Sequence, residues 1–301
     1  MRDRRRLTQV FATLVTNPYW VGFARATIYR GRLKYLCHPG MQCYSCPSSV
    51  TACPLGALQN ALGSARETVA AGRFSLGLYI IGFFGLVGMV FGRLVCGWVC
   101  PFGLLQDVLH KIPTPKLQLP RYAAYGKYVL LVALVILAPL AASFYDFSFV
   151  AADGHLRLLP AVTANATGAT YPWYCKIVCP VGTLEAGIPK LLLDAGVRAT
   201  LGFWFRLKWI ILIVFLLWMV MTPRAFCRVA CPVGAIYGLF NRYSLYRFSV
   251  KAEDCDACGR CAQACPLGLD PHRAPNHPDC IRCLDCVGAC RKGALRSGFK
   301  H

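Results

Sequence analysis

Carboxylates are scarce in this chain: 13 Asp and Glu stand against 33 Lys and Arg, and charged residues make up only 15% of its 301 residues. A soluble domain carries roughly 25% charged residues, so a surface wetted on all sides is excluded. Also missing are a Walker loop, a dinucleotide-binding glycine fingerprint, a C-x-x-C-H haem attachment and a nucleophile triad. A self-contained substrate enzyme is therefore not expected. No base-reading or strand-binding motif accompanies the formal charge of +20. The cations flank apolar segments, a placement that suits anionic headgroups and excludes nucleic acid as the expected partner. The opening Met1-Arg2-Asp3-Arg4-Arg5-Arg6 and the apolar Leu7 to Ala26 resemble a signal peptide. Asn17 and Pro18 interrupt that run and no small-residue cleavage site follows, so a retained anchor is expected.

What the chain has instead is apolar surface and cysteine. Hydrophobic residues reach 56%. Three stretches approach the ~20 residues that cross a bilayer: Leu76 to Val95, Tyr128 to Tyr145 and Trp204 to Met221. Leu7 to Ala26 is a weaker fourth, with Tyr19 and Trp20 placed like an interfacial belt. The expected fold is mainly α, a polytopic membrane domain over residues 1–245 followed by a small α+β domain over residues 246–301.

Eighteen cysteines in a chain with long apolar runs do not suit a secreted disulfide scaffold; they suit thiolate ligation of metal. In the last fifty residues, Cys255-x-x-Cys258-x-x-Cys261-x-x-x-Cys265-Pro266 is followed by Cys280-x-x-Cys283-x-x-Cys286-x-x-x-Cys290. Three thiolates of one tight loop reach three irons of a cubane, and the fourth crosses to the other cluster. Cys255, Cys258, Cys261 and Cys290 are thus assigned to one [4Fe–4S] cluster, and Cys280, Cys283, Cys286 and Cys265 to a second. Zinc sites do not need the third cysteine. The region resembles bacterial two-cluster ferredoxins, with Arg291 where a proline is usual. His272 and His277 read as linker residues between the motifs.

Four further copies of C-P-x-G begin at Cys53, Cys100, Cys179 and Cys231, and three have another cysteine four residues earlier, at Cys96, Cys175 and Cys227. In the fourth copy that position is Ser49, with Cys43 and Cys46 just upstream. Proline after the cysteine suits the first turn of a helix. Arg93, Lys176, Arg224 and Arg228 add positive charge beside an anionic cluster, and Arg93 and Arg228 are candidate outer contacts of it. Counting spans places Cys96, Cys100, Cys227 and Cys231 on the ferredoxin side. Cys175, Cys179, Cys53, Cys46, Cys43 and Cys37 then fall on the opposite face. Six thiols exceed one cluster's need, and either one cluster with two spare thiols or two unusually ligated clusters satisfies them. Four clusters at about −2 each would offset about 8 units of the positive charge.

The run Gly92-Arg93-Leu94-Val95-Cys96-Gly97-Trp98-Val99-Cys100-Pro101-Phe102-Gly103, with Cys227-Arg228-Val229-Ala230-Cys231-Pro232 and the terminal module, resembles membrane-bound polyferredoxins. These are associated with periplasmic nitrate reduction, nitrous-oxide reductase maturation and cytochrome oxidase assembly. The C-Y-S-C-P segment at Cys43 to Pro47 resembles an uncharacterised branch of that group. The resemblance implies electron transfer at the cytoplasmic membrane, with quinone or quinol and a flavin-, haem- or iron–sulfur-bearing protein as partners. Assembly of a larger enzyme's metal or cofactor, and membrane redox sensing, are alternative expectations. Asp107, His110, Glu185, Asp146, Asp153 and His155 are the carboxylates and histidines available for proton transfer to a quinone. The basic segments near residues 111–127 and 224–251 favour a cytoplasmic ferredoxin domain.

Overall fold

The computed structural model describes residues 2–25, 27–72, 75–144, 172–193, 196 and 202–299. Asp146, Asp153 and His155 lie outside them. The apolar runs form helices: Ser75–Phe91, a continuous helix Tyr122–Phe144, and Phe203–Met221. Among the described residues one helix, Tyr122–Phe144, is long and apolar enough to cross a membrane; Gly77–Phe91 is apolar but shorter. Three spans were the expectation, and the stop of the first stretch after Phe91 has a local cause. Gly92 takes a positive φ of 54°, and a Cβ there would meet the side chains of Asn241 and Arg282. Arg282 donates to the Phe91 carbonyl at 2.8 Å, ending the helix that sequence alone carries to Val95. Phe203–Met221 runs 19 residues and carries Arg206 and Lys208 in its first turns.

Two helices carry π-wound stretches, Leu131–Leu137 and Thr183–Gly187. Each ends two residues before a proline, Pro139 or Pro189. Proline removes an amide donor and crowds the preceding turn, and a locally wider helix accommodates both effects.

The opening segment, the fourth candidate, holds a helix of 15 residues. Helix Arg2–Thr16 ends at Asn17-Pro18, buries Arg5 and Gln9, and leaves Leu7, Phe11, Leu14 and Val15 exposed. It lies along the helix Pro101–Leu109, tied there by an Arg5–Asp107 ion pair at 3.3 Å. Beyond Phe240, strand β1 (Tyr246–Val250) pairs antiparallel with β2 (Leu295–Phe299), Tyr246 opposite Phe299 and Val250 opposite Leu295. The ladder closes the cysteine-rich segment into a loop over Phe248, Cys286 and Leu295, which form its small core. One larger core holds Phe102, Tyr174, Phe226 and Tyr237 together with Cys53, Cys96, Cys100, Cys179, Cys227 and Cys231.

Candidate metal centres

The repeat is a structural unit. Cys53, Cys100, Cys179 and Cys231 each precede a helix in extended conformation, with φ between −62° and −81° and ψ between 108° and 122°. The following proline enforces this, since it disfavours helical geometry in the residue before it. The paired cysteines Cys96, Cys175 and Cys227 each sit in a five-residue helix: Leu94–Trp98, Trp173–Ile177 and Ala225–Val229. The same turn then joins the two: Cys100, Cys179 and Cys231 donate their amides to Val95, Tyr174 and Phe226, at 3.0–3.1 Å.

Two such units face each other. Cys231 lies within electrostatic reach of Cys227, Cys96 and Cys100. The arginine three residues before each first cysteine crosses over: Arg93 donates to the Cys227 carbonyl at 2.9 Å, and Arg224 to the Cys96 carbonyl at 2.7 Å. The glycines of C-P-x-G make room for this exchange. A Cβ on Gly103 would meet the Cys96 oxygen at 2.9 Å, and one on Gly234 would meet Arg93 at 3.0 Å. Donors then point at sulfur: Gln106 Nε2 to Cys227 Sγ at 2.9 Å, Met41 N to Cys100 Sγ at 3.4 Å, Gly234 N to Cys231 Sγ at 3.3 Å.

In the terminal module, Cys265, Cys280, Cys283 and Cys286 line one void. Cys255, Cys258, Cys261 and Cys290 line another, of about 500 Å³. Among the described residues no three His, Cys, Asp or Glu side chains converge on a single metal-ion position. Each set of four lines one space, of about 10 Å³ at Cys265 and about 500 Å³ at Cys255, and four thiols are the donor set that a multi-iron core takes. A buried seam joins this module to the helices. Arg93 and Lys127 both pair with Asp279, the Arg93 contact at 3.0 Å, and Asn241 donates to the carbonyls of His277 and Cys280. Burial alone would raise the Asp279 carboxyl, but Arg93 and Lys127 outweigh it and hold it below the ordinary range. Arg228, 9% exposed, lies within reach of Arg93, Asp279 and Cys265.

A 4Fe-4S binding domain family matches residues 73–120, 167–195 and 201–252. The methylamine utilization ferredoxin-type protein MauN of Paracoccus denitrificans is 33% identical over 65% of this chain and 54% of its own length. MauN of Methylorubrum extorquens is 30% identical over 73% of this chain and 60% of its own. The regulatory protein NosR of Stutzerimonas stutzeri is 26% identical over 66% and 23%. The chain is thus similar to ferredoxin-type 4Fe-4S proteins, and spans little more than half the length of the MauN proteins it matches. No solved structure matches. The matched segments contain Cys96, Cys100, Cys175, Cys179, Cys227 and Cys231. They leave out Cys37 to Cys53 and the last forty-nine residues.

The remaining thiols gather around a cavity of about 630 Å³ lined by Cys37, Cys43, Cys53, Cys175 and Cys179, with Lys34 and Lys208 on its wall. Cys46 is not on the wall; its thiol lies 3.2 Å from Ser48 Oγ. Counting spans puts this group a bilayer away from Cys96 and Cys231. The structure shows otherwise. Tyr174, beside Cys175, donates its hydroxyl to the Ala230 carbonyl at 2.8 Å, and Met41, two residues from Cys43, binds Cys100. The buried Tyr237 hydroxyl lies within electrostatic reach of Cys96, Cys100, Cys37 and Cys53 together. Span counting misses this because the helices Pro54–Gly63 and Trp173–Ile177 both pack against Leu131–Leu137, the mid-portion of the long apolar helix.

The acid–base candidates are engaged elsewhere. Asp107 chelates Arg224 at 2.6 and 2.8 Å. Glu185 accepts the Cys43 amide at 2.7 Å. His110 Nδ1 lies 3.2 Å from the Val220 carbonyl. His272, expected as a linker, places its ring 3.4 Å from Cys255 Sγ; His277 Nδ1 accepts the Asp279 amide. Sequence reasoning missed Gln106, Gln59, Tyr174 and Asp279. The two glutamines carried a signal, since each lies six residues after a C-P-x-G cysteine.

Proposed function

We propose that the chain is a membrane-seated electron relay. Electrons enter or leave at the exposed Cys255 void, and the Cys265 and Cys96 groups connect that void to a membrane quinone or a bound redox protein. A [4Fe–4S] core supplies one-electron storage wherever it is bound. The protein's part is to hold ligands at fixed separation and to keep water away from the inner groups. Cys255, Cys258, Cys261 and Cys290 would hold the outer core, and Cys265, Cys280, Cys283 and Cys286 the next. Cys96, Cys100, Cys227 and Cys231 would hold the third.

The observation that carries the reading is the seam at Arg93. This wholly buried guanidinium binds the Cys227 carbonyl on one side and Asp279, the neighbour of Cys280, on the other. It fixes the inner group and the nearer ferredoxin void to one another and supplies positive charge to both. Membrane seating is supported by the helix Tyr122–Phe144. It is also supported by exposed Ile81 and Leu86 on one helix and Ile210, Ile213 and Leu217 on another, an apolar area suited to lipid contact. The basic segments near residues 111–127 and 224–251 support a cytoplasmic ferredoxin module.

An electron paramagnetic resonance titration of the anaerobic, detergent-purified chain tests the proposal, with a quinol or reduced flavoprotein as donor. Cluster signals should appear in sequence as donor is added. Clusters that form yet exchange electrons with neither donor class would sink it.

A further inference from the structure

We propose that Cys43, Cys53, Cys175 and Cys179 hold a cluster of their own, with Cys37 and Cys46 outside its ligand set. This rests on the reading that the thiol groups bind iron–sulfur cores, and it adds a site with half its ligands upstream of the matched family segments.

The first ground is the repeat. Cys53 caps the helix Pro54–Gly63 as Cys100 caps Pro101–Leu109. Six residues on, Gln59 donates its amide to Cys175 Sγ at 3.2 Å, as Gln106 does to Cys227 at 2.9 Å. Each glutamine thus reaches the first cysteine of the facing C-x-x-x-C-P motif. Cys53, Cys175 and Cys179 therefore occupy the places that Cys100, Cys227 and Cys231 occupy in the inner group. The counterpart of Cys96 is Ser49, whose hydroxyl is engaged with Gln42 and the Thr51 carbonyl.

The second ground is the position of Cys43. Cys175 lies within electrostatic reach of Cys179, Cys53 and Cys43. Cys43 Sγ lies 3.8 Å from where a Cβ on Gly182 would stand, inside the next turn of the Cys179 motif. Glu185, six residues after Cys179, holds the Cys43 amide, so the third copy of the repeat anchors the replacement thiol. Cys37 lies on the same wall but is tied into a bridge with Ala52, with Cys53 within its reach. Cys46 is turned to Ser48.

The third ground is charge. Lys208 donates to the Cys175 carbonyl at 3.2 Å and lies within reach of Cys179 and Cys43 as well. A cation there favours thiolates, and binding four of them to a core of charge about +2 leaves a net anion.

Iron and acid-labile sulfide counts on the full chain decide the matter. Four clusters give about sixteen irons per chain, and three give about twelve. Cys43→Ala and Cys53→Ala should each lose about four irons and leave the other signals intact, while Cys37→Ala and Cys46→Ala keep the full complement. A wild-type chain at about twelve irons, or a Cys43→Ala variant that keeps them all, overturns this site and leaves the relay standing. A chain that takes up no iron overturns both. Should Cys43→Ala lose every cluster, Gln59→Leu decides: removing a donor to sulfur should lower the midpoint potential of one cluster, and four unchanged potentials overturn the assignment.

Discussion

The inner group at Cys96 and the cavity group at Cys43 are two versions of one device, and they differ in how the second ring of contacts is made. In the inner group each half supplies an arginine to the other half's carbonyl, and each arginine is paired with an aspartate, Arg93 with buried Asp279 and Arg224 with part-buried Asp107. The glycines between are needed for clearance. In the cavity group Pro172 and Cys46 stand where those arginines would be. A lysine from the helix Phe203–Met221 reaches in instead, and the corresponding glycines are loosely surrounded. The inner group is thus closed by reciprocal ion pairs, which fix distances. The cavity group keeps a space of about 630 Å³.

The largest expected effect comes from breaking the closure. Asp279→Asn leaves Arg93 and Lys127 both buried and without their anionic partner. Orphaning a buried charge costs about 3–5 kcal/mol. Thermal unfolding in detergent should show the loss, and protease should release the terminal module before the helices are cut. A variant as stable and as resistant as the wild type would mean that the seam does not hold the two regions together.

The glycines sharpen the contrast more gently. Gly103→Ala would press a Cβ against the Cys96 backbone oxygen at 2.9 Å, and overpacking of this kind costs about 1–3 kcal/mol. At Gly56 in the same motif the nearest atom is Cys53 Cβ at 4.0 Å. Gly56→Ala should therefore gain up to about 1 kcal/mol from helix propensity. Opposite signs in thermal stability are expected, and equal losses would mean that the two groups are packed alike.

Those positions also show what was legible before any coordinates. Proline after cysteine told where four helices begin, because its ring constrains the residue before it. The ferredoxin spacings named two sets of four thiols, and each set lines its own void. What stayed hidden was distance. Counting apolar stretches treats every segment between them as lying outside the bilayer, so Cys53 and Cys175 were sent to a far face. Burial of Tyr174 and Tyr237 within reach of both groups, and the packing of the helices Pro54–Gly63 and Trp173–Ile177 against Leu131–Leu137, depend on contacts far apart in sequence. Hydrophobic periodicity carries no record of them. The apolar stretch after Ser75 likewise gave no sign that Arg282, nearly two hundred residues later, would end its helix.

The smallest effect concerns pH. Burial pushes the Asp107 carboxyl upward, but Arg224, with Arg5 and Arg6 behind it, outweighs that and holds it below the ordinary range. A carboxylate whose folded pKa is depressed contributes stability that is complete above its unfolded value, about 3.9, and is lost as pH falls through the folded one. The stability gap between wild type and Asp107→Asn should therefore hold constant from pH 7 down to about 4.5, reading only the inner group. A gap already closing at pH 6 would show Asp107 protonating in the folded chain, and with it a proton-carrying role that its bond to Arg224 otherwise forbids.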